Sequence, residues 1–163
     1  MKPRVKPFNR CNKPTPAEVV HRLAERFRAR KRNRSDPDGS RTRDNRIRGL
    51  EAEQIAERHL HAVGHATLER NLRVGRDEID LLMLAPDRRT VVLVEVKSSS
   101  SGMQAAKALM NRGKRSRVAR AFRRLERLGM FDGMPTRVDA VYVHRTASGF
   151  ELEHRPGSPL PAR

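Results

Sequence analysis

The stretch from Glu78 to Lys97 sets the architecture. It reads Glu78-Ile79-Asp80-Leu81-Leu82-Met83-Leu84, then Ala85-Pro86-Asp87-Arg88-Arg89-Thr90, then Val91-Val92-Leu93-Val94-Glu95-Val96-Lys97. Two apolar runs of strand length flank a polar, proline-bearing turn, the pattern of an antiparallel hairpin. Strict alternation puts Glu78, Asp80, Leu82 and Leu84 on one face of the first strand. The same rule puts Val91, Leu93, Glu95 and Lys97 on one face of the second. Val91 to Val96 is otherwise uniformly apolar and reads as a central strand, where a charge is costly.

Asp80 and Glu95 are thus expected to approach each other near one end of the hairpin. Two carboxylates in a half-buried site repel, so one must protonate or a cation must sit between them. A hard divalent ion such as magnesium prefers such oxygen ligands and keeps several waters. Lys97, two residues beyond Glu95, is placed to orient or deprotonate a metal-bound water, or to neutralise charge on a transferring phosphoryl group. The ordinary alternative is an edge hairpin whose charges face solvent.

The chain has 163 residues, enough for one domain and an extension. Its 36 Lys+Arg against 19 Asp+Glu give a net charge of +17. Hydrophobic residues at 36% rule out a wholly disordered chain, and the charge points to a polyanion, nucleic acid first. An arginine-rich proteome is the plainer source of such charge. The single cysteine, Cys11, excludes a disulfide framework and a cysteine metal site, which fits a reducing cytoplasm. No apolar run reaches the length of a membrane span, and the basic N-terminus lacks the apolar core of a secretory signal.

Charge is uneven along the chain. Met1 to Arg48 carries 16 Lys+Arg against 5 Asp+Glu, and the remainder 20 against 14. Residues 1–45 are read as a basic, largely disordered arm with one amphipathic helix over about 15–32, opened by the capping box Thr15-Pro16-Ala17-Glu18. That helix suits docking on the domain, on nucleic acid or on a protein partner. Ser35 to Asn45 reads as a linker.

The domain is expected over 46–155. A helix from Gly49 to the stop at Gly64 carries Gly49, Ala52, Glu53, Ala56, Leu60 and Val63 as its stripe, with Glu57 and Arg58 on the wet face. Glu53, on or beside the buried face, needs a partner, either an arginine or the metal site. Ala66 to Arg73 forms a first strand. Met103 to Met110 is ambiguous between a short helix and a loop. Lys114 to Leu128 is a helix with Val118, Ala121, Phe122, Leu125 and Leu128 inward. Its seven basic residues against Glu126 favour contact with a phosphate backbone. Val138 to Val143 and Phe150 to His154 read as fourth and fifth strands, and residues 156–163 as a loose tail. His61 and His65 have no third ligand nearby, which argues against zinc. With aromatic residues at 4%, no stacking platform for single strands stands out.

The order helix, three strands, helix, strand, with these acids, resembles the PD-(D/E)XK nuclease superfamily and more closely the YraN family of small endonuclease-like proteins. The resemblance rests on G-L-E-A-E-Q-I-A-E-R-H-L, R-N-L-R-V-G-R-D-E-I-D-L-L, V-V-L-V-E-V-K, the basic helix from Lys114 and R-V-D-A-V-Y-V, and covers about residues 46 to 154. It implies an α/β, restriction-endonuclease-like core: a mixed four- or five-stranded sheet flanked by helices, with a basic N-terminal extension.

By the same resemblance Glu53, Asp80, Glu95 and Lys97 would be catalytic, with Asp80, Glu95, the Val96 carbonyl and Glu53 holding Mg2+ or Mn2+. Arg73, Lys114 and Arg117 would contact phosphates, and Asp139 matches an aspartate of the late strand. DNA is expected before RNA, with single-stranded and branched forms both open, and since no base-reading element stands out, shape or backbone recognition is expected over sequence specificity. Asp77 stands where the family has glycine, Ala52 replaces a glycine beside Glu53, and the C-terminal end is proline-rich rather than aromatic. A non-catalytic nucleic-acid-binding protein or an adaptor on the same fold is the alternative.

Overall fold

The computed structural model describes Glu25 and residues 43–110, 112–131, 133–157 and 159–160. The arm and its helix over 15–32 lie outside the described residues, Glu25 excepted. The elements are α1 (Arg43–Ala62), β1 (Ala66–Val74), β2 (Asp77–Leu84), β3 (Val91–Ser99), α2 (Met103–Ala108), α3 (Arg112–Arg127), β4 (Thr136–Thr146), β5 (Gly149–Arg155) and β6 (Pro159–Leu160).

β1, β2 and β3 form an antiparallel meander because their connections are short turns. The turn between β2 and β3 is closed by Asp87, whose carboxylate accepts from the Arg89 and Thr90 amides and the Thr90 hydroxyl. β4 lies parallel to β3, with Glu95 beside Ala140 and Lys97 beside Tyr142. A parallel pair needs a crossover, which α2 and α3 supply. β5 returns antiparallel on β4. The result is a mixed sheet in the order β1-β2-β3-β4-β5, with β6 pairing the start of β4.

Each face of the sheet has its own core. On one, Ala52, Ala56 and Leu60 of α1 pack on Leu81, Met83, Val92, Val94 and Val141. On the other, Val118, Ala121, Phe122 and Leu125 of α3 pack on Leu82, Leu84, Val91 and Leu93. β3 is apolar on both faces because both are covered. Phe122 and Phe131 stack with centroids 5.7 Å apart and close the α3 side. No helix of the described residues is long and apolar enough to cross a membrane.

Four local expectations change. α1 begins at Arg43, inside the segment read as a linker. Val63 leaves the apolar stripe, since it follows the last helical residue and is exposed. Glu57, assigned to the wet face, is buried instead. The Thr67 hydroxyl and Arg70 Nε of β1 both donate to it, so the edge strand widens the covered face of the helix. The described part of the tail, residues 156–157 and 159–160, is held rather than loose. The Gly157 amide donates to Asp139 Oδ1 at 3.0 Å, and Pro159 and Leu160 pair with Arg137 and Thr136. A Cβ at Gly157 would stand 1.8 Å from the Val138 carbonyl oxygen, so only glycine passes there.

Candidate functional site

The β2–β3 ladder runs from Leu84 opposite Val91 to Leu81 opposite Val94. One residue further, where Asp80 would face Glu95, a side chain takes over from the backbone. The Val96 amide donates to Asp80 Oδ2 at 2.7 Å. An amide buried at the end of a ladder needs such an acceptor. Asn71, on the neighbouring rung of β1, has φ of 50°, in the left-handed region. Side chains change face at this rung. Ile79 joins Leu82 and Leu84 in the α3-side core, and Glu78 is exposed. Strict alternation, which grouped Glu78 and Asp80 with Leu82, therefore fails at Asp80.

Glu95 is 1% exposed, in line with Val91 and Leu93 on the α3 side. The Lys97 ammonium donates to Glu95 Oε1 at 2.5 Å and to the Val96 carbonyl at 2.6 Å. Two oxygens named as metal ligands thus already converge on one cation. The donor set of Asp80, Glu95 and the Val96 carbonyl is all oxygen, and it fits a small, hard divalent ion. Glu53 belongs to α1, whose Ala52, Ala56 and Leu60 pack on the sheet face opposite the one that holds Val91 and Leu93. Among the described residues, no three His, Cys, Asp or Glu side chains gather closely enough to hold a metal.

The start of β2 lies at this same end of the sheet and is ringed by arginines. Asp77 is buried and accepts from Arg120 Nε at 2.7 Å and Nη2 at 2.6 Å. That pairing holds its carboxyl below the ordinary value, with burial opposing and Arg76 and Arg117 assisting. Its charge is therefore committed to α3. Arg73 and Arg117 flank the β1–β2 turn, where Arg124 also packs against Gly75. The side chain of Lys114 lies outside the described residues.

Two features were not read from sequence. Asp139, wholly buried in β4, gathers distant residues. Arg137 Nε and Nη2 donate to it at 2.9 and 3.1 Å, His154 Nε2 at 2.9 Å, and the Gly157 amide at 3.0 Å. Burial alone would raise this carboxyl, but those donors together hold it below its usual value. His65, whose ring packs on His154, completes the group with Nε2 at 3.3 Å from Arg137. The second feature is a cleft at the far end of β3 and β4, lined from α1, the serine segment, β4 and β5. The serines after Lys97 were the visible signal for it.

The helix, meander, crossover and parallel strand make a mixed five-stranded α/β domain, consistent with a restriction-endonuclease-like fold. The chain belongs to the uncharacterised protein family UPF0102, the YraN family, whose model matches residues 52–143. A UPF0102 protein of Methylorubrum extorquens is 38% identical over 126 residues, 73% of this chain and 95% of that one. One from Thermus thermophilus is 38% identical over 109 residues, 66% of this chain and 93% of its own. One from Halorhodospira halophila is 46% identical over 79 residues, 48% of this chain, and only 64% of that relative's length is spanned.

Proposed function

We propose that this protein is a metal-dependent nuclease that hydrolyses phosphodiester bonds in DNA, acting in the cytoplasm. The observation that carries the reading is the cluster where β2 parts from β3: Asp80 on the Val96 amide, and Lys97 bridging Glu95 and the Val96 carbonyl. Asp80, Glu95 and that carbonyl would hold Mg2+ or Mn2+. When bound, the ion supplies Lewis acidity toward a phosphoryl oxygen and lowers the pKa of a water. Lys97 would hold the attacking water in line or stabilise charge on the phosphoryl oxygens. Arg73, Lys114 and Arg117 would grip the backbone without reading bases, so affinity should fall steeply with salt.

The test uses labelled single-stranded, duplex and branched DNA with Mg2+, Mn2+ or EDTA, comparing wild type with Asp80→Asn and Lys97→Ala. Metal-dependent cleavage should fall by about 100-fold or more in Lys97→Ala, the scale of removing one transition-state donor. Cleavage equal in all three proteins would sink the assignment. A non-catalytic DNA-binding protein is the second reading, favoured by the cation that Glu95 already has in Lys97. Binding with no cleavage under any metal condition would select it.

A further inference from the structure

The cleft beyond Lys97 has a chemistry of its own. Its volume is about 580 Å3, within the ~300–1,000 Å3 range of small-ligand sites. Arg48 and Glu51 of α1, the Ser98–Ser100 segment, Arg145 of β4 and Phe150 of β5 form its walls. Ala52 and Val143, members or neighbours of the α1-side core, form the floor. The cleft therefore opens on the α1 side of the sheet, at the end where Lys97 stands on the opposite side.

Three observations specify the ligand. Arg48 and Arg145 line the cleft with Glu51 as the single acid among its lining residues and Ser98, Ser99 and Ser100 beside them, a residue set that suits a phosphate. The Arg145–Glu51 contact is long, at 3.6 Å, and a bidentate anion can displace it. Phe150 is 41% exposed, and the Arg145 guanidinium lies over its ring, 5.8 Å from the centroid. An aromatic ring with an arginine beside it is a platform for a nucleobase. The serine segment is fixed in place. His144 Nδ1 lies 3.0 Å from the Ser99 carbonyl, and Ser99 Oγ accepts from the Ser101 amide at 3.0 Å.

We infer that this cleft binds one unpaired nucleotide of a nucleic-acid strand, its phosphate on Arg48 and Arg145 and its base against Phe150. A paired base cannot reach Phe150, since its faces are buried in the stack. The preferred substrate thus has a single-stranded segment, either a free strand or the unpaired part of a branch. This names the substrate class of the nuclease proposed above and rests on that reading for its role, though the binding itself does not need catalysis.

Fluorescence anisotropy in EDTA tests it, with labelled oligothymidylate and a duplex of equal length. The proteins are wild type, Phe150→Ala, Phe150→Tyr and Arg145→Ala, each checked for an unchanged melting temperature. Phe150→Ala should weaken single-strand binding roughly 5- to 100-fold, the loss of one stacked base, and leave duplex binding within about twofold. Phe150→Tyr should keep single-strand binding, and Arg145→Ala should lower it. Wild-type single-strand affinity in Phe150→Ala and Arg145→Ala overturns the assignment. So does full displacement of the oligonucleotide by thymidine monophosphate at equal phosphate concentration, which would give the cleft to free nucleotides. Cleavage by wild type on the same oligonucleotides separates the two proposals. Cleavage with unaltered binding in the variants removes the cleft alone. Variant-sensitive binding without metal-dependent cleavage removes the nuclease alone.

Discussion

Replacing Asp139 should unfold this protein more readily than replacing any acid of the candidate site. The carboxylate is 0% exposed and accepts four hydrogen bonds, three from side chains and one from the Gly157 amide. In Asp139→Ala the Arg137 guanidinium loses its anion, and removing one partner of a buried pair costs ~3–5 kcal/mol. Asp139→Asn keeps an acceptor oxygen and loses the charge, so its cost is that of a charged hydrogen bond, ~1.5–3 kcal/mol. Urea unfolding followed by circular dichroism at pH 7 reads both. With a slope near 2 kcal/mol per molar, the alanine midpoint falls by roughly 1.5 M or more. The sign of the pH dependence is fixed as well. Asp139 has a folded pKa below its unfolded value, so its contribution is complete above the unfolded pKa of about 3.9 and is lost as pH falls through the folded one. The gap between wild type and Asp139→Asn should therefore narrow below about pH 4. An asparagine variant within ~0.5 kcal/mol of wild type at pH 7, a difference typical of neutral surface changes, would refute this account.

Gly157→Ala should cost about 1–3 kcal/mol by forcing the chain off Val138, and amide exchange at Thr136 should speed up with it. Unchanged exchange would mean that the strap holds without a close pass. His65 has its pKa lowered, by burial first and by the Arg137 charge second. Stability should therefore fall as pH drops from the unfolded value near 6.5 toward the lower folded one, and His65→Gln should flatten the melting profile between pH 7.5 and 5.5. A variant with the wild-type slope would remove His65 from that role.

The hairpin was legible because two apolar runs and a proline-bearing turn admit little else, and the helices because their stripes repeat at helical spacing. What escaped the sequence has a common cause, contacts between residues far apart. Alternation could not foresee that Asn71, in another strand, accompanies a change of face at Asp80. Glu57 looked solvated until β1 brought Thr67 and Arg70 over it. Asp139 was seen as an acid in a strand, but its partners come from β4, β5, the last segment and the loop after α1. The cleft draws on residues 48, 51, 98–100, 145 and 150, and no linear spacing announces it.

The parting of β2 from β3 ties the candidate site residues to the fold in two different ways. Asp80 holds the Val96 amide, so the fold needs an acceptor there whatever else the acid does. Glu95 and Lys97 are bound differently, as a nearly buried ion pair. Such a pair can be exchanged together for apolar residues at little or no cost in stability, whereas loss of either partner alone strands a charge. If cleavage is what these groups serve, as proposed above, relatives that lack it should shed Glu95 and Lys97 as a couple while Asp80 persists. A chain that retains all three carries a costlier arrangement than its fold requires.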